Sequence, residues 1–573
     1  MEMRLLLAFL LMGAVLFLSP YFLGTPPPNP TPEQTGKTAE TAKEASAAPA
    51  GAPASSAPAA PAAPAPRVPA NAPGQIHAEQ EETVIVDTEL VHVEFSNRGA
   101  VARSWILKAF KDSKGNPLEL VSQRALALAG KQALPAPFAL AFKSPPANDT
   151  NDALYKVQRS GEGGLTVAFE FSDGRTSAKK TFEFSQNSYL VMLSSQVIEN
   201  GVAIPHSLAW RGGFGDSTVL NSAPDLFTVY FDVPGNSLNK KQAGDAETGP
   251  VSASGQYAFA GQEDKYFAQV VLPSAGPNVT PGTIELTTYS DNVPKDDGTE
   301  DQRVGAAIGG SGANAFELFV GPKDTEILRS VDPRLEQLLD WGRFFGFLAK
   351  PLFYGLKWIY NTLIHNYGWA IVILTTTINI VLFPLRLSSM KSSKKMQSVQ
   401  PLVKAINDKY KDIPMKDPRK QQQNQELMEL YKTHGINPVG GCVPMLLQIP
   451  FFIALYTVLG MSIELRHASW LWIPDLSQPE IGFFDIRLLP VLLVITQFMS
   501  QKMTPSPGMD PAQQKMMLFM PLVFGFMFWQ ASAGLVLYWL TSNVVSIAQQ
   551  WILNRSTPAL AVAVAAPAPK KKK

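Results

Sequence analysis

Charge is scarce in this chain. Of its 573 residues only 17% are Asp, Glu, Lys or Arg, against about 25% in a typical soluble protein, which makes an ordinary water-soluble enzyme a poor fit. A single cysteine, Cys442, excludes an internal disulfide and any Cys-based zinc site. The six histidines are scattered, and His92 and His206 have no partner at metal-ligand spacing. No Walker A loop, dinucleotide fingerprint, HExxH pair or nucleophile elbow occurs. We therefore expect no enzyme, no catalytic residues, no cofactor and no metal. A net charge of +1 argues against a nucleic-acid-coating protein. What is present is 46% hydrophobic residues at a mean hydropathy of +0.01, the average of soluble and membrane sequence segregated along one chain.

The segregation is visible from the N-terminus. Residues 1–24 contain an apolar run from Leu5 to Leu23 after Arg4, long enough to span a bilayer and without a clean cleavage site, so we read a retained anchor. Residues 25–80 form a linker, in which Thr25 to Gly74 holds 13 prolines and 16 alanines and cannot bury a core. Residues 81–330 alternate with period two. Runs such as Thr83–Val86, Leu90–Phe95, Leu165–Phe171, Thr181–Phe184, Tyr189–Val197 and Ala315–Val320, separated by Gly, Asn, Asp and Pro, predict one large antiparallel β-sandwich domain. Residues 331–350 turn helical. Leu335, Leu338, Leu339, Trp341, Phe344, Phe347 and Leu348 make an apolar face, which predicts an amphipathic helix lying in the membrane interface or packing on the β domain.

Residues 351–552 read as a transmembrane core, with uncharged stretches over about 367–385, 443–463, 488–503, 516–530 and 534–550. With the anchor the total is six spans. Between Arg386 and His434 there are 11 Lys and Arg against 5 Asp and Glu, and the tail, 553–573, carries Arg555 and Lys570 to Lys573 without an acid. Both segments are expected in the cytoplasm, together with the N-terminus, and the β domain outside, in the periplasm or extracellular space of a bacterium. Within 388–434, Met396, Val399, Val403, Ile406 and Tyr410 mark one helical stripe and Leu427, Leu430 and Tyr431 a second, predicting a basic helical hairpin.

The spans are unusually polar. Thr375, Thr376, Thr377 and Asn379, then Gln448, then Thr496, Gln497 and Gln501, then Thr541, Ser542, Asn543 and Gln549 interrupt four of them. Amides in hydrocarbon are costly unless bonded across helices or facing water, so a shared hydrated interior accounts for all of them together. Isolated interhelical bonds account for any one. Fourteen residues, Leu488 to Gln501, reach only about 21 Å against a hydrocarbon core of about 30 Å, so the bilayer is expected to thin around them.

The run Asn437-Pro438-Val439-Gly440-Gly441-Cys442-Val443-Pro444-Met445-Leu446-Leu447-Gln448-Ile449-Pro450 continues as Phe451-Phe452-Ile453-Ala454-Leu455-Tyr456. Asp510-Pro511-Ala512-Gln513-Gln514-Lys515 and Ser532-Ala533-Gly534-Leu535-Val536-Leu537-Tyr538-Trp539 with Ser542-Asn543 follow in order. These motifs, over about Leu335 to Trp551, resemble the signature of the YidC/Oxa/Alb membrane protein insertases. The anchor, linker and β domain resemble the Gram-negative form.

That resemblance implies a mixed membrane protein of the inner membrane: a periplasmic antiparallel β-supersandwich, an α-helical transmembrane bundle and a cytoplasmic helical hairpin. It implies an insertase and chaperone that moves transmembrane segments of nascent proteins through a hydrophilic groove, alone or with the Sec translocon. Thr375, Asn379, Gln448, Phe452, Met527, Tyr538 and Trp539 would line the groove or its substrate-contacting edge. Asn379 stands where many members carry the groove's Arg or Lys; Arg386, seven residues on, either supplies that charge or is a snorkelling positive-inside anchor. Expected partners are nascent membrane proteins, the Sec translocon, the ribosome through the basic tail and hairpin, and membrane lipids; ribosomal RNA and anionic lipid both suit the tail. Two other classes remain open: a small-solute transporter or channel, and a periplasmic glycan-binding module on a membrane scaffold.

Overall fold

The structure, a computed structural model, describes residues 74–556 apart from 131–132, 219–224, 274–282, 296–298, 343, 412, 415–416, 437–442, 483–485 and 504–510. The expected anchor, nearly all of the expected linker and the tail from 557 onward lie outside the described residues. Contacts divide the chain into two compact units. One is β-rich and runs to Asp340, with Met461–Glu464; the other is helical and holds Trp341–Gly460 and the chain from Leu465 onward.

The β-rich unit contains three antiparallel sheets. The first has four strands in chain order, Thr83–Asp87, Val91–Ser96, Val101–Lys111 and Pro117–Glu119. The largest runs Ser237–Lys241, Phe227–Asp232, Tyr257–Glu263, Phe267–Pro273, Ala313–Pro322, Leu190–Glu199, Thr176–Glu183, Thr166–Ser172, Lys156–Ser160, with Val202–Ala203 attached to Leu190–Glu199. The third is ordered Val251–Gly255, Ile284–Pro294, Glu300–Ser311, His206–Trp210, Ala139–Ala141. Strands such as Thr176–Glu183 alternate buried and accessible positions, as a half-buried strand must. Tyr257–Glu263 is buried throughout and Phe267–Pro273 at all but its last residue, because both of their faces are covered. Aromatic rings fill the core: Phe95 meets Phe182 at 4.7 Å and Phe169 at 5.7 Å, and Trp210 meets Phe138 at 5.5 Å.

Lys180 and His206 are among the polar groups sealed inside this unit. The Lys180 ammonium donates to the carbonyls of Gly99 (2.7 Å), Ala100 (3.1 Å) and Phe138 (2.7 Å), and burial pushes it down to about 7. All three carbonyl residues have positive φ, 70°, 51° and 69°, a conformation that costs a non-glycine residue about 1–2 kcal/mol. Position 99 requires glycine, since a Cβ there would lie 2.3 Å from the Asn151 carbonyl oxygen. His206 is held at Nε2 by Ser195 Oγ (2.8 Å) and the Asn314 amide (3.1 Å) and at Nδ1 by the Ile204 carbonyl (2.9 Å). The amide N–H can only donate, so Nε2 accepts and Nδ1 carries the proton; His206 is a satisfied core histidine.

The single amphipathic helix expected over 331–350 is divided. Asp332 caps a 3₁₀ turn, Pro333–Leu338, with Leu335 and Leu338 buried in the β-rich unit. Gly342 then takes φ 81°, and helix restarts only at Gly346. A capping Asp before Pro starts a new helical turn and a left-handed glycine ends one, so the apolar stripe belongs to two elements.

The helical unit contains α1 (Gly346–Thr362), α2 (Tyr367–Val381), α3 (Phe383–Ser398), α4 (Gln400–Lys409), α5 (Arg419–Thr433), α6 (Val443–Met461), α7 (Leu488–Met503), α8 (Pro511–Met527) and α9 (Ala533–Ser556). Helix α1 buries Ala349, Leu352, Phe353, Leu356 and Ile359 and leaves Phe347, Tyr354 and Trp358 exposed. Over the stretches expected to span, α2, α7 and α8 have 15, 16 and 17 residues. Helix α9 has 24 but carries Thr541, Ser542, Asn543, Ser546, Gln549 and Gln550. Among the described residues no helix is long and apolar enough to cross a membrane. Helices α4 and α5 share a small core in which Val403 of α4 and Tyr431 of α5 pack with Met396 at the end of α3, Val399 just before α4 and Ile436 just after α5, backed by Leu427 and Leu430. Lys409 and the Tyr410 hydroxyl both donate to Glu426, at 2.6 and 2.9 Å.

Candidate functional site in the helical unit

Four helices, α2, α3, α6 and α9, bring their polar residues to one place. From α3, the Arg386 guanidinium donates through Nη1 to Ser546 Oγ of α9 (2.7 Å) and through Nη2 to Gln448 Oε1 of α6 (2.8 Å). Gln448 Nε2 donates to Ser542 Oγ of α9 (3.1 Å), whose hydroxyl donates to Asn379 Oδ1 of α2 at 3.4 Å. Gln549 Nε2 closes the network on the Asn379 carbonyl at 3.1 Å. The spacing explains the convergence: Ser542, Ser546 and Gln549 recur at steps of four and three, one face of α9.

Arg386 is the centre of this network. It is 7% exposed, and its hydrogen-bond partners are a hydroxyl and an amide; among the described residues it has no carboxylate partner. A snorkelling arginine keeps its head in water, whereas this head is enclosed. A guanidinium has five N–H donors, of which two are engaged. Among the described residues the site therefore holds a positive charge with three N–H donors unengaged and no carboxylate counter-ion.

Beside the polar network lies an aromatic one. Phe452 of α6 meets Trp539 at 4.8 Å and Tyr538 at 6.4 Å, both on α9, and Phe528 at 6.2 Å; Trp539 also meets Phe528 at 4.8 Å and Phe524 at 5.4 Å. Tyr538 lies beside Arg386 and Gln448, which brings the two networks together. Of the residues expected at the site, Asn379, Arg386, Gln448, Phe452, Tyr538 and Trp539 come together. Thr375 is buried one turn before Asn379, its hydroxyl bonded to the Ile371 carbonyl (2.7 Å) and its own carbonyl accepting from Asn379 Nδ2 (2.7 Å). Met527 stands apart, exposed, next to Phe528. Ser546, Phe524 and Phe528 belong to the networks and were not among the expected residues. The step of four from Ser542 to Ser546 was the available signal.

A second polar contact ties α9 to α7, where Asn543 Nδ2 donates to Gln497 Oε1 (2.8 Å) and Thr496 Oγ1 (3.3 Å). At their N-terminal ends α7 and α9 are held by the loop that follows α6. Glu480 accepts from the Leu489 amide (2.7 Å) and the Trp472 indole (2.6 Å). The carbonyls of Gln478 and Leu476 accept from the amides of Ala533 and Gly534, both at 2.8 Å.

A β-sandwich followed by helices that gather amides around an enclosed cation defines a class of protein. Residues 83–355 match the YidC periplasmic domain and residues 358–559 the 60Kd inner membrane protein family, so the class is an inner-membrane protein with a periplasmic domain. The membrane protein insertase YidC of Geotalea daltonii is 35% identical over 493 residues, 83% of this chain and 87% of its own. That of Syntrophus aciditrophicus is 32% identical over 589 residues, 97% of this chain and all of its own. A solved structure of an active YidC insertase with the first transmembrane domain resolved aligns with 83% of this chain and 93% of its own, at 17% identity and a TM-score of 0.35. The chain belongs to the YidC family of membrane protein insertases.

Proposed function

We propose that this chain moves transmembrane segments of nascent proteins into the inner membrane, alone or with the Sec translocon, with Arg386, Asn379, Gln448 and Thr375 as its hydrophilic groove and Phe452, Tyr538 and Trp539 as its apolar edge. It does so without enzymatic chemistry. Six spans place both termini in the cytoplasm and the β-rich unit in the periplasm; α4 and α5 form the cytoplasmic hairpin that meets the emerging chain, and the basic tail meets the ribosome or anionic lipid. The observation that carries the reading is the enclosed Arg386, which has no carboxylate partner among the described residues.

Magnitudes support this division of labour. A carboxylate at the centre of a membrane helix costs about 2.5–3.5 kcal/mol on insertion scales. A charge about 4 Å away in surroundings of effective dielectric near 20 returns about 4 kcal/mol. One guanidinium therefore offsets the passage of one acidic side chain, and the hydrogen bonds to Ser546 and Gln448 re-form when the acid moves on. The apolar segment that follows leaves water at about 25 cal/mol per Å², which makes its transfer to lipid downhill, and the membrane potential adds about 2.3 kcal/mol per charge per 100 mV.

The test is insertion into proteoliposomes of a short substrate with an acidic translocated tail. The double variant Arg386→Ala, Asn379→Ala loses a few kcal/mol of that attraction and is expected to insert it at least about tenfold more slowly, with a neutral-tailed substrate much less affected. Unchanged insertion of the acidic tail overturns the assignment.

A further inference from the structure

The loop between α6 and α7 contains a two-residue hairpin turn with an unusual tip. Trp470 and Ile473 exchange backbone hydrogen bonds, N–H to O=C in both directions at 2.8 Å, which leaves Leu471 and Trp472 as the turn. Leu471 takes φ 50°, a position that turns of this size normally give to glycine, asparagine or aspartate. A γ-branched side chain held left-handed is strained. Among the described residues the side chains at the tip stay largely uncovered: Leu471 is 64% exposed and Trp472 is 42% exposed. The Trp472 indole N–H already donates to Glu480 at 2.6 Å and its ring leans on Trp470 at 5.9 Å, so the accessible part of the residue is the rest of its apolar ring. Behind the tip the turn is rigid, with Trp470 buried, packed on Trp369 at 5.6 Å and seated against Gly368, where a Cβ would fall 2.2 Å from the indole.

The exposed apolar surface continues from this tip. Ile481 is 73% exposed, Ile486 and Leu488 are also exposed, and Leu488 opens α7, whose Ile495 and Met499 carry the same exposed character along the helix. An aromatic residue with its polar end satisfied and its ring outward, next to an aliphatic side chain and continuous with an apolar helix face, has the chemistry of a membrane-interface anchor. A water-facing turn gains nothing from such residues, and a strained one loses by them.

We propose that the Leu471–Trp472 turn is a lipid-inserting tip, which enters the headgroup–acyl boundary of the leaflet at the end of the helical unit where α7 and α9 begin. The proposal rests on the membrane-spanning reading of that unit. Its occupant is lipid, and its consequence is that the loop tying the α7 and α9 ends is fixed at a set depth in the bilayer.

The test uses the full chain with Cys442→Ser, which leaves no other thiol, and an environment-sensitive nitrobenzoxadiazole label at a new cysteine, in phosphatidylcholine and phosphatidylglycerol vesicles. Leu471→Cys and Ile481→Cys are the probes, Met499→Cys on α7 is the lipid-facing control and Val202→Cys on the β-rich unit the aqueous one. The labels at 471 and 481 are expected to be blue-shifted relative to 202 and quenched several-fold more by shallow doxyl lipid than by aqueous iodide. Label 499 should be quenched by deeper doxyl positions. Iodide quenching at 471 and 481 equal to that at 202, with 499 still reporting lipid, overturns the tip alone; failure at 499 as well overturns the membrane-spanning reading. Protection at 471 that disappears on dilution of protein into lipid overturns the proposal in favour of contact between copies. The Ile481 label decides if Leu471→Cys does not fold.

Discussion

Replacing Lys180 by methionine puts the interior of the β-rich unit to a quantitative test. The side chain length is nearly kept, while the ammonium that serves the Gly99, Ala100 and Phe138 carbonyls is lost. Burial lowers the group from 10.5 to about 7, and a displacement of that size corresponds to about 5 kcal/mol of desolvation when the ammonium is charged. The hydrogen bonds to the three carbonyls, at about 1.5–3 kcal/mol each while the group is charged, hold it in place without cancelling that penalty, since the value stays low. Methionine removes both terms but leaves three buried carbonyls short of a donor in segments that already hold positive φ. The expected net loss is about 2–4 kcal/mol. The pH dependence has a definite sign. Between about 7 and 10.5 the unfolded chain holds a proton that the folded chain has shed, so this group adds stability as pH rises, by at most about 1.4 kcal/mol per unit. The methionine variant lacks that increment, and the gap between the two proteins widens from pH 7 to 9. Urea titration of the full chain, read by pulse proteolysis of the β-rich unit, measures both quantities. A gap under about 1 kcal/mol, or one that narrows as pH rises, refutes the reasoning.

Other substitutions separate the roles of individual contacts. Gly368→Ala drives a methyl into the Trp470 indole, with approaches of 2.2 Å, and is expected to cost about 1–3 kcal/mol, seen as a lower thermal midpoint in detergent and changed tryptophan emission. Glu480→Ala strips a buried acceptor from the Leu489 amide and the Trp472 indole and should cost about 2–4 kcal/mol, whereas Glu480→Gln, which keeps one acceptor oxygen, should cost about half of that; equal effects would mean the second bond carries nothing. Asp324→Ala removes the N-cap of the short helix Thr325–Val331 in the β-rich unit, which accepts from the amides of Glu326 and Ile327, and hydrogen exchange over 325–331 should accelerate by the equivalent of about 1 kcal/mol. Gln448→Leu breaks the bridge between Arg386 and Ser542; insertion of acidic-tailed substrates should fall while thermal stability changes little, because leucine suits an apolar helix.

Much of the β-rich unit was legible because half-buried strands alternate. Tyr257–Glu263 and Phe267–Pro273 were not, since strands covered on both faces lose the alternation that identifies them. Lys179 and Lys180 read alike in sequence, and only the sheet decides that one faces outward and the other meets three carbonyls. The stripe from Leu335 to Leu348 read as one helix because periodicity outweighed two local signals, Asp332-Pro333 and Gly342. At the site, Asn379, Gln448 and Arg386 stood out since amides and a charge beside apolar runs are conspicuous. Ser546 did not, because a helical serine can satisfy itself, as this one does on the Ser542 carbonyl at 2.7 Å. Phe524 and Phe528 were invisible for the opposite reason: aromatic side chains in an apolar helix look the same whether they face lipid or one another.

The most direct measurement is photocrosslinking to a stalled nascent membrane protein from positions 375, 448, 452 and 538, one probe at a time, with 202 on the β-rich unit as the outward control. Crosslinks to the nascent chain from the first four positions, dependent on its transmembrane segment having emerged and weakened by Arg386→Ala at 448, are the predicted result. Labelling of lipid alone from all four, with no nascent chain captured, would contradict the account.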